Sequence, residues 1–141
     1  MKQIETKIVI KAPREKVWSV LTDFDSYANW NPFIIRGSGN TEVGSQLDLT
    51  MKNGKKEMGF TPEVQISDQN YEFEWLGSGM GGTFKGRHYF RLADTDEGTE
   101  LVHGEKFSGL LSGLILAMIK SETTKGFESM NLALKEKVEN Q

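Results

Sequence analysis

Phe84-Lys85-Gly86-Arg87-His88-Tyr89-Phe90-Arg91-Leu92 and Leu101-Val102-His103-Gly104-Glu105-Lys106-Phe107 decide how this chain folds. Both stretches alternate with a period of two, and the turn-forming segment Asp94-Thr95-Asp96-Glu97-Gly98 lies between them. Successive strand side chains point to opposite faces of a sheet. One face of the pair therefore collects Phe84, His88, Phe90, Leu92, Leu101, His103, Glu105 and Phe107, and the other carries Lys85, Arg87, Arg91, Glu100 and Lys106. Setting Leu92 opposite Leu101 keeps the apolar faces together. That register puts Phe90 opposite His103 and His88 opposite Glu105, close enough for a hydrogen bond between the last two. Gly86 and Gly104 are the positions where a bulge would break it.

Two imidazoles and a carboxylate thus point inward among hydrophobes, and they include the only histidines of the chain. Burial of such groups is costly unless they are hydrogen-bonded. They serve either as a satisfied core network, as contacts for a bound molecule, or as a proton-transfer set, for which histidine has a suitable pKa. Their spacing matches no known metal signature, so neither a metal nor another cofactor is expected.

Working outward, Ile4 to Ile10 reads as a first strand, and Ala12-Pro13 opens a helix carrying Val17, Trp18, Leu21 and Phe24 on one stripe. A short second helix spans about Ser26 to Trp30 and is stopped by Pro32, with a short strand from Phe33 to Arg36. Asn53-Gly54 is a strong hairpin signal, and centring the turn on it sets Leu49 opposite Met58 and Leu47 opposite Phe60. A turn within Asp68-Gln69-Asn70 returns a strand bearing Tyr71, Phe73 and Trp75, aromatics expected in the core with Phe60, Phe84 and Phe90. Gly77-Ser78-Gly79-Met80-Gly81-Gly82 spells a dinucleotide fingerprint, but a strand follows it rather than a helix. It reads as a mobile connection near a cavity mouth. Leu110 to Val138 is helical, apolar on nearly every side at first and then amphipathic, with Phe127, Met130, Leu134 and Val138 on one stripe. Burial of Leu110 to Ile119 against the sheet is the expectation, and a dimer or membrane-contact patch is the alternative. Ser108 and Ser112 read as helix caps, and Gly126 as a point of bending or close packing.

Composition narrows the function. At 141 residues the chain suits a single domain spanning 1–141, with a sizeable core. A net charge of -3 and no basic cluster argue against nucleic-acid binding. Without cysteine there are no disulfides and no thiolate chemistry. The N-terminus lacks a signal-peptide core, and no apolar run is long enough to span a bilayer, so a cytoplasmic location is expected.

Several segments resemble the START-like (SRPBCC) superfamily, which includes polyketide cyclase/dehydrase-like bacterial proteins. They are Ile10-Lys11-Ala12-Pro13 through Leu21, Tyr27-Ala28-Asn29-Trp30-Asn31-Pro32-Phe33, Gly86-x-His88-x-Phe90, and His103-x-Glu105-x-Phe107-x-Gly109-x-Leu111. The resemblance implies an α+β helix-grip fold: a curved antiparallel β-sheet wrapped around a long C-terminal α-helix, with two short helices after the first strand. It also implies an apolar cavity between sheet and helix. The wall expected there comprises Phe60, Phe73, Trp75, Phe84, Phe90 and Phe107 from strands and Leu114 and Met118 from the helix. Trp30 and Asn31 are expected at the rim, and His88, His103 and Glu105 at the polar end. Function follows as binding of a small hydrophobic or amphipathic ligand, lipid- or polyketide-like. The alternatives are cyclase/dehydratase-type acid–base catalysis by the same trio, and a protein-interaction module without a ligand. A homodimer is compatible with all three.

Overall fold

The computed structural model describes residues 2–141. Its strands are β1 (Gln3–Ile10), β2 (Ile34–Ser38), β3 (Asp48–Asn53), β4 (Lys56–Phe60), β5 (Glu63–Asp68), β6 (Glu72–Gly79), β7 (Phe84–Thr95) and β8 (Gly98–Ser108). The helices are α1 (Arg14–Leu21) and α2 (Ser112–Glu139), with a 3-10 turn over Phe24–Asn29. Five strands form one sheet in the order β1-β8-β7-β6-β5, antiparallel throughout. A three-stranded sheet, β2-β3-β4, continues the curve, joined to the first by the single bridge Gln46↔Glu63. With α2 lying across the concave side, this is the helix-grip architecture.

The β7–β8 ladder pairs Leu92 with Leu101, Phe90 with His103 and His88 with Glu105, and it runs without a bulge from Lys85↔Ser108 to Thr95↔Gly98. Strict alternation produced that register, because a one-residue slip would turn every apolar side chain to the wrong face. The β3–β4 hairpin differs from expectation. Leu49 pairs with Phe60 and Met51 with Met58, two residues away from a turn centred on Asn53-Gly54. A slip of two leaves every side chain on its original face, so the pattern could not detect it. Asn53 pairs with Lys56, which leaves Gly54-Lys55 as the loop, and Gly54 takes the left-handed φ of 66° at its first position.

Pro13 precedes α1 in extended conformation and caps it, and Val17, Trp18, Val20 and Leu21 turn inward. Tyr27 is fully buried, and its hydroxyl donates to the Leu21 carbonyl. The Asn31 side chain accepts from the backbone N–H groups of Phe33 and Ile34, both at 2.9 Å, and so fixes the start of β2. Tyr71, expected in the core, is exposed and lies under the Arg14 guanidinium at 4.0 Å. Ser108 ends β8, and Ser112 is the first residue of α2 with its hydroxyl donating to the Gly109 carbonyl; neither caps the helix.

Helix α2 buries Leu116, Thr123, Phe127, Met130, Asn131, Leu134 and Val138 on one stripe. Its first turns contradict the expected burial: Leu110, Leu114 and Met118 are 88%, 66% and 77% exposed. Of that apolar segment only Leu116 enters the core, because the helix buries one face only. Farther along, Gly126 permits close approach to Phe33: a β-carbon at 126 would stand 2.4 Å from the Phe33 ring. That ring is buried and packs edge-on against Phe127 at 5.5 Å, so a β-carbon at 126 must displace it.

Gly126→Ala is therefore expected to lower the unfolding free energy by up to about 2 kcal/mol. Overpacking of roughly 1–3 kcal/mol outweighs a helix-propensity gain of about 1 kcal/mol. Urea unfolding measures it, and an unchanged or raised stability would show that the Phe33 ring gives way.

Candidate functional site

The inward face of the large sheet brings His88 and His103 together. Trp75, Phe90 and His88 share that face through the pairs Phe73↔Phe90 and Trp75↔His88. The His88 ring stacks on Trp75 at 4.7 Å, and the His103 ring lies parallel to Phe127 of α2 at 4.2 Å. Both imidazoles are buried, at 4% and 0% exposure, which makes internal hydrogen bonding obligatory.

The bonds form a chain across the core. His88 Nε2 and His103 Nε2 are 2.7 Å apart. His103 Nδ1 is 2.8 Å from Asn131 Oδ1, and Asn131 Nδ2 donates to Thr6 Oγ1 at 2.8 Å. The Thr6 hydroxyl closes the chain by donating to the His103 carbonyl at 2.9 Å. Asn131 and Thr6 escaped the sequence reading. The available signal was an asparagine one helical turn after Phe127, on the apolar stripe with Met130 and Leu134. His88 Nδ1 faces Glu105 Oε1 at 3.5 Å, directly opposed as the register required but beyond hydrogen-bond length. The three groups form a chain rather than a converging set.

A hollow of about 300 Å³ lies next to this chain, between the two sheets. The small sheet supplies Ile34, Met51, Met58 and Phe60 to its wall, with Phe33 from the segment leading into β2. The large sheet supplies Trp75, Gly77, Gly79, Phe84 and Gly86, with His88 and Glu105 at the polar end. The space exists because side chains are missing. Gly77 and Gly86 are directly opposed, and Gly79 follows on the same inward face opposite Phe84. The Glu105 carboxylate lies over Gly86, where a β-carbon would come within 2.0 Å of Oε2. The glycine-rich segment thus belongs partly to strand β6, with only Met80–Gly82 forming a 3-10 turn.

Of the residues expected around a cavity, Phe60, Trp75, Phe84, His88 and Glu105 line this one. Phe73 and Phe90 are sealed in the core, and Phe107 is buried behind Phe84 in a stack 5.6 Å apart. His103 lies behind His88, one hydrogen bond removed from the hollow. Trp30 sits beside the end of α2 near Ala133 and Glu136, away from the hollow, and Asn31 acts on it only through Phe33 and Ile34. Leu114 and Met118 point outward. The hollow therefore lies between the two sheets rather than between sheet and helix, and among the described residues none of α2 lines it.

Burial, reinforced by the neighbouring His88, holds the His103 imidazole well below its ordinary 6.5, against the opposing hydrogen bond to Asn131. Below pH 6.5 the unfolded chain therefore takes up a proton that the native state refuses, and stability falls with falling pH. The expected loss reaches about 1.4 kcal/mol per pH unit below about pH 6.5, and it should be reduced in His103→Gln. Urea midpoints for both proteins between about pH 7 and pH 5 check this; parallel curves would remove His103 as the cause.

Comparison with known proteins agrees with this architecture. A START superfamily protein from Mycobacterium smegmatis superposes with a TM-score of 0.77 at 20% identity, covering 98% of this chain and 97% of that one. TTHA0849 from Thermus thermophilus gives a TM-score of 0.76 at 17% identity, with 96% of each chain covered. NE0264 from Nitrosomonas europaea gives 0.77 at 13% identity, covering 98% of this chain and 94% of that one. At such identities the likeness speaks for the fold. The family described as polyketide cyclase / dehydrase and lipid transport matches residues 1–139. Matched over that span, the chain belongs to this START-like, SRPBCC-type family.

Proposed function

We propose that this protein binds a small apolar or amphipathic molecule between its two sheets, with the ligand's polar group against His88 and Glu105. The observation that carries this reading is the inward pair Gly77 and Gly79, which leaves a hollow where side chains would otherwise fill the face. A void in a packed interior forfeits dispersion contacts and costs stability, so a ligand that fills it recovers them. The wall is mostly apolar with a few polar groups at one end, the usual make-up of a small-molecule site. The family's description, which includes lipid transport, supports the same reading.

Two measurements test it. Native mass spectrometry of freshly purified protein should show a co-purifying small molecule. Titration with 1-methylnaphthalene should give saturable quenching of tryptophan fluorescence, because Trp75 forms part of the wall. Gly79→Leu is the matching variant. Nothing lies within 4 Å of a β-carbon built there, and the backbone at 79 is not left-handed. The variant should weaken 1-methylnaphthalene binding at least about tenfold, a loss of about 1.4 kcal/mol, with little change in the urea midpoint. A flat wild-type titration would sink the reading. Conversion of a β-hydroxy carbonyl compound by the wild type and not by His88→Gln would instead make the hollow an active site.

A further inference from the structure

The direction of each hydrogen bond in the buried chain determines what the polar end of the hollow can accept. The Thr6 hydroxyl proton is committed to the His103 carbonyl, so Thr6 Oγ1 receives the Asn131 amide proton. Asn131 Oδ1 is then an acceptor, and His103 Nδ1 carries the proton that reaches it. A neutral imidazole has one ring N–H, which leaves His103 Nε2 bare. It can only accept, so the proton in the 2.7 Å contact belongs to His88 Nε2. His88 Nδ1 stands 3.5 Å from Glu105 Oε1. A charge-assisted N–H···O pair closes to roughly 2.7–2.9 Å, so no proton is shared between them and Nδ1 is bare as well. Two acceptors therefore face each other across a gap at the hollow's end. Glu105 is the one charged residue among the described lining residues, and neither lysine nor arginine is among them. Arg87, the nearest cation in β7, is on the outer face and paired with Glu74.

Building on the binding reading above, we infer that the hollow selects molecules whose polar group donates hydrogen bonds, a ring alcohol, phenol or amine, and turns away carboxylates. An amine placed against Nδ1 and Oε1 donates to both, and an alcohol or phenol donates its one proton to either. A carboxylate there would meet two acceptors, one of them a like charge, with no cation to compensate. Trp75, Phe60 and Phe84 in the wall favour a flat ring system behind that donor.

Three naphthalenes of matched shape test this: 1-naphthol, 1-methylnaphthalene and 1-naphthoate, titrated at neutral pH. 1-Naphthol should bind at least about tenfold tighter than 1-methylnaphthalene, the worth of one hydrogen bond to a charged acceptor. 1-Naphthoate should bind weakest of the three. Glu105→Gln should narrow the naphthol-to-naphthoate ratio at least about tenfold. Naphthoate binding as tightly as naphthol, naphthol no better than the hydrocarbon, or a ratio unmoved by Glu105→Gln would each overturn the inference. In all of these cases binding of the hydrocarbon would leave the hollow a ligand site. Failure of all three compounds to bind would remove the binding reading and this inference together.

Discussion

The hydrogen bond between the Nε2 atoms of His88 and His103, sealed among Trp75, Phe90 and Phe127, constrains the structure around it. Both imidazoles are buried, and an unsatisfied polar group in such a place costs on the order of 1–3 kcal/mol. Satisfying both requires β7 and β8 in one register and α2 rotated to deliver Asn131. It also requires β1 paired so that Thr6 lies opposite His103. Four elements distant in sequence thereby meet at one bond chain. The helix cannot rotate or slide by a residue without leaving His103 Nδ1 unpaired.

The same chain ends at the hollow, and the two features complement each other. On one side of His88 the inward face is packed with aromatic rings. On the other it is emptied by Gly77 and Gly79, while the Glu105 carboxylate covers Gly86. The change from filled to empty occurs within two residues of β6, between Trp75 and Gly77. The His88–His103 hydrogen bond backs the polar end and fixes the His88 ring there. Preorganisation of this kind reduces the ordering cost of binding.

Much of this was legible in the alternation of β7 and β8. Their register, the inward placement of His88, His103 and Glu105, and the order of strands and helices follow from a period of two beside a period of 3.6, and the family resemblance implied the helix-grip arrangement. The same reading went astray where periodicity is silent. A two-residue slip of the β3–β4 hairpin leaves the pattern intact, and only the backbone of Gly54 chose between registers. The apolar start of α2 looked like core, yet Leu110, Leu114 and Met118 face outward, off the helix's one buried stripe. Glycines at 77 and 79 looked like a connecting loop, although they are inward strand positions whose missing side chains create space.

By itself the sequence determined which side chains share a face and that two histidines turn inward and need partners, because alternation and the cost of unmet polar groups act locally. It left open which histidine nitrogen meets which partner, and where the hollow lies. Those depend on groups brought together from β1, β6, β8 and α2, and on how far the small sheet stands from the large one. Such distances are decided only when the whole chain packs, since no local pattern encodes the gap between two surfaces.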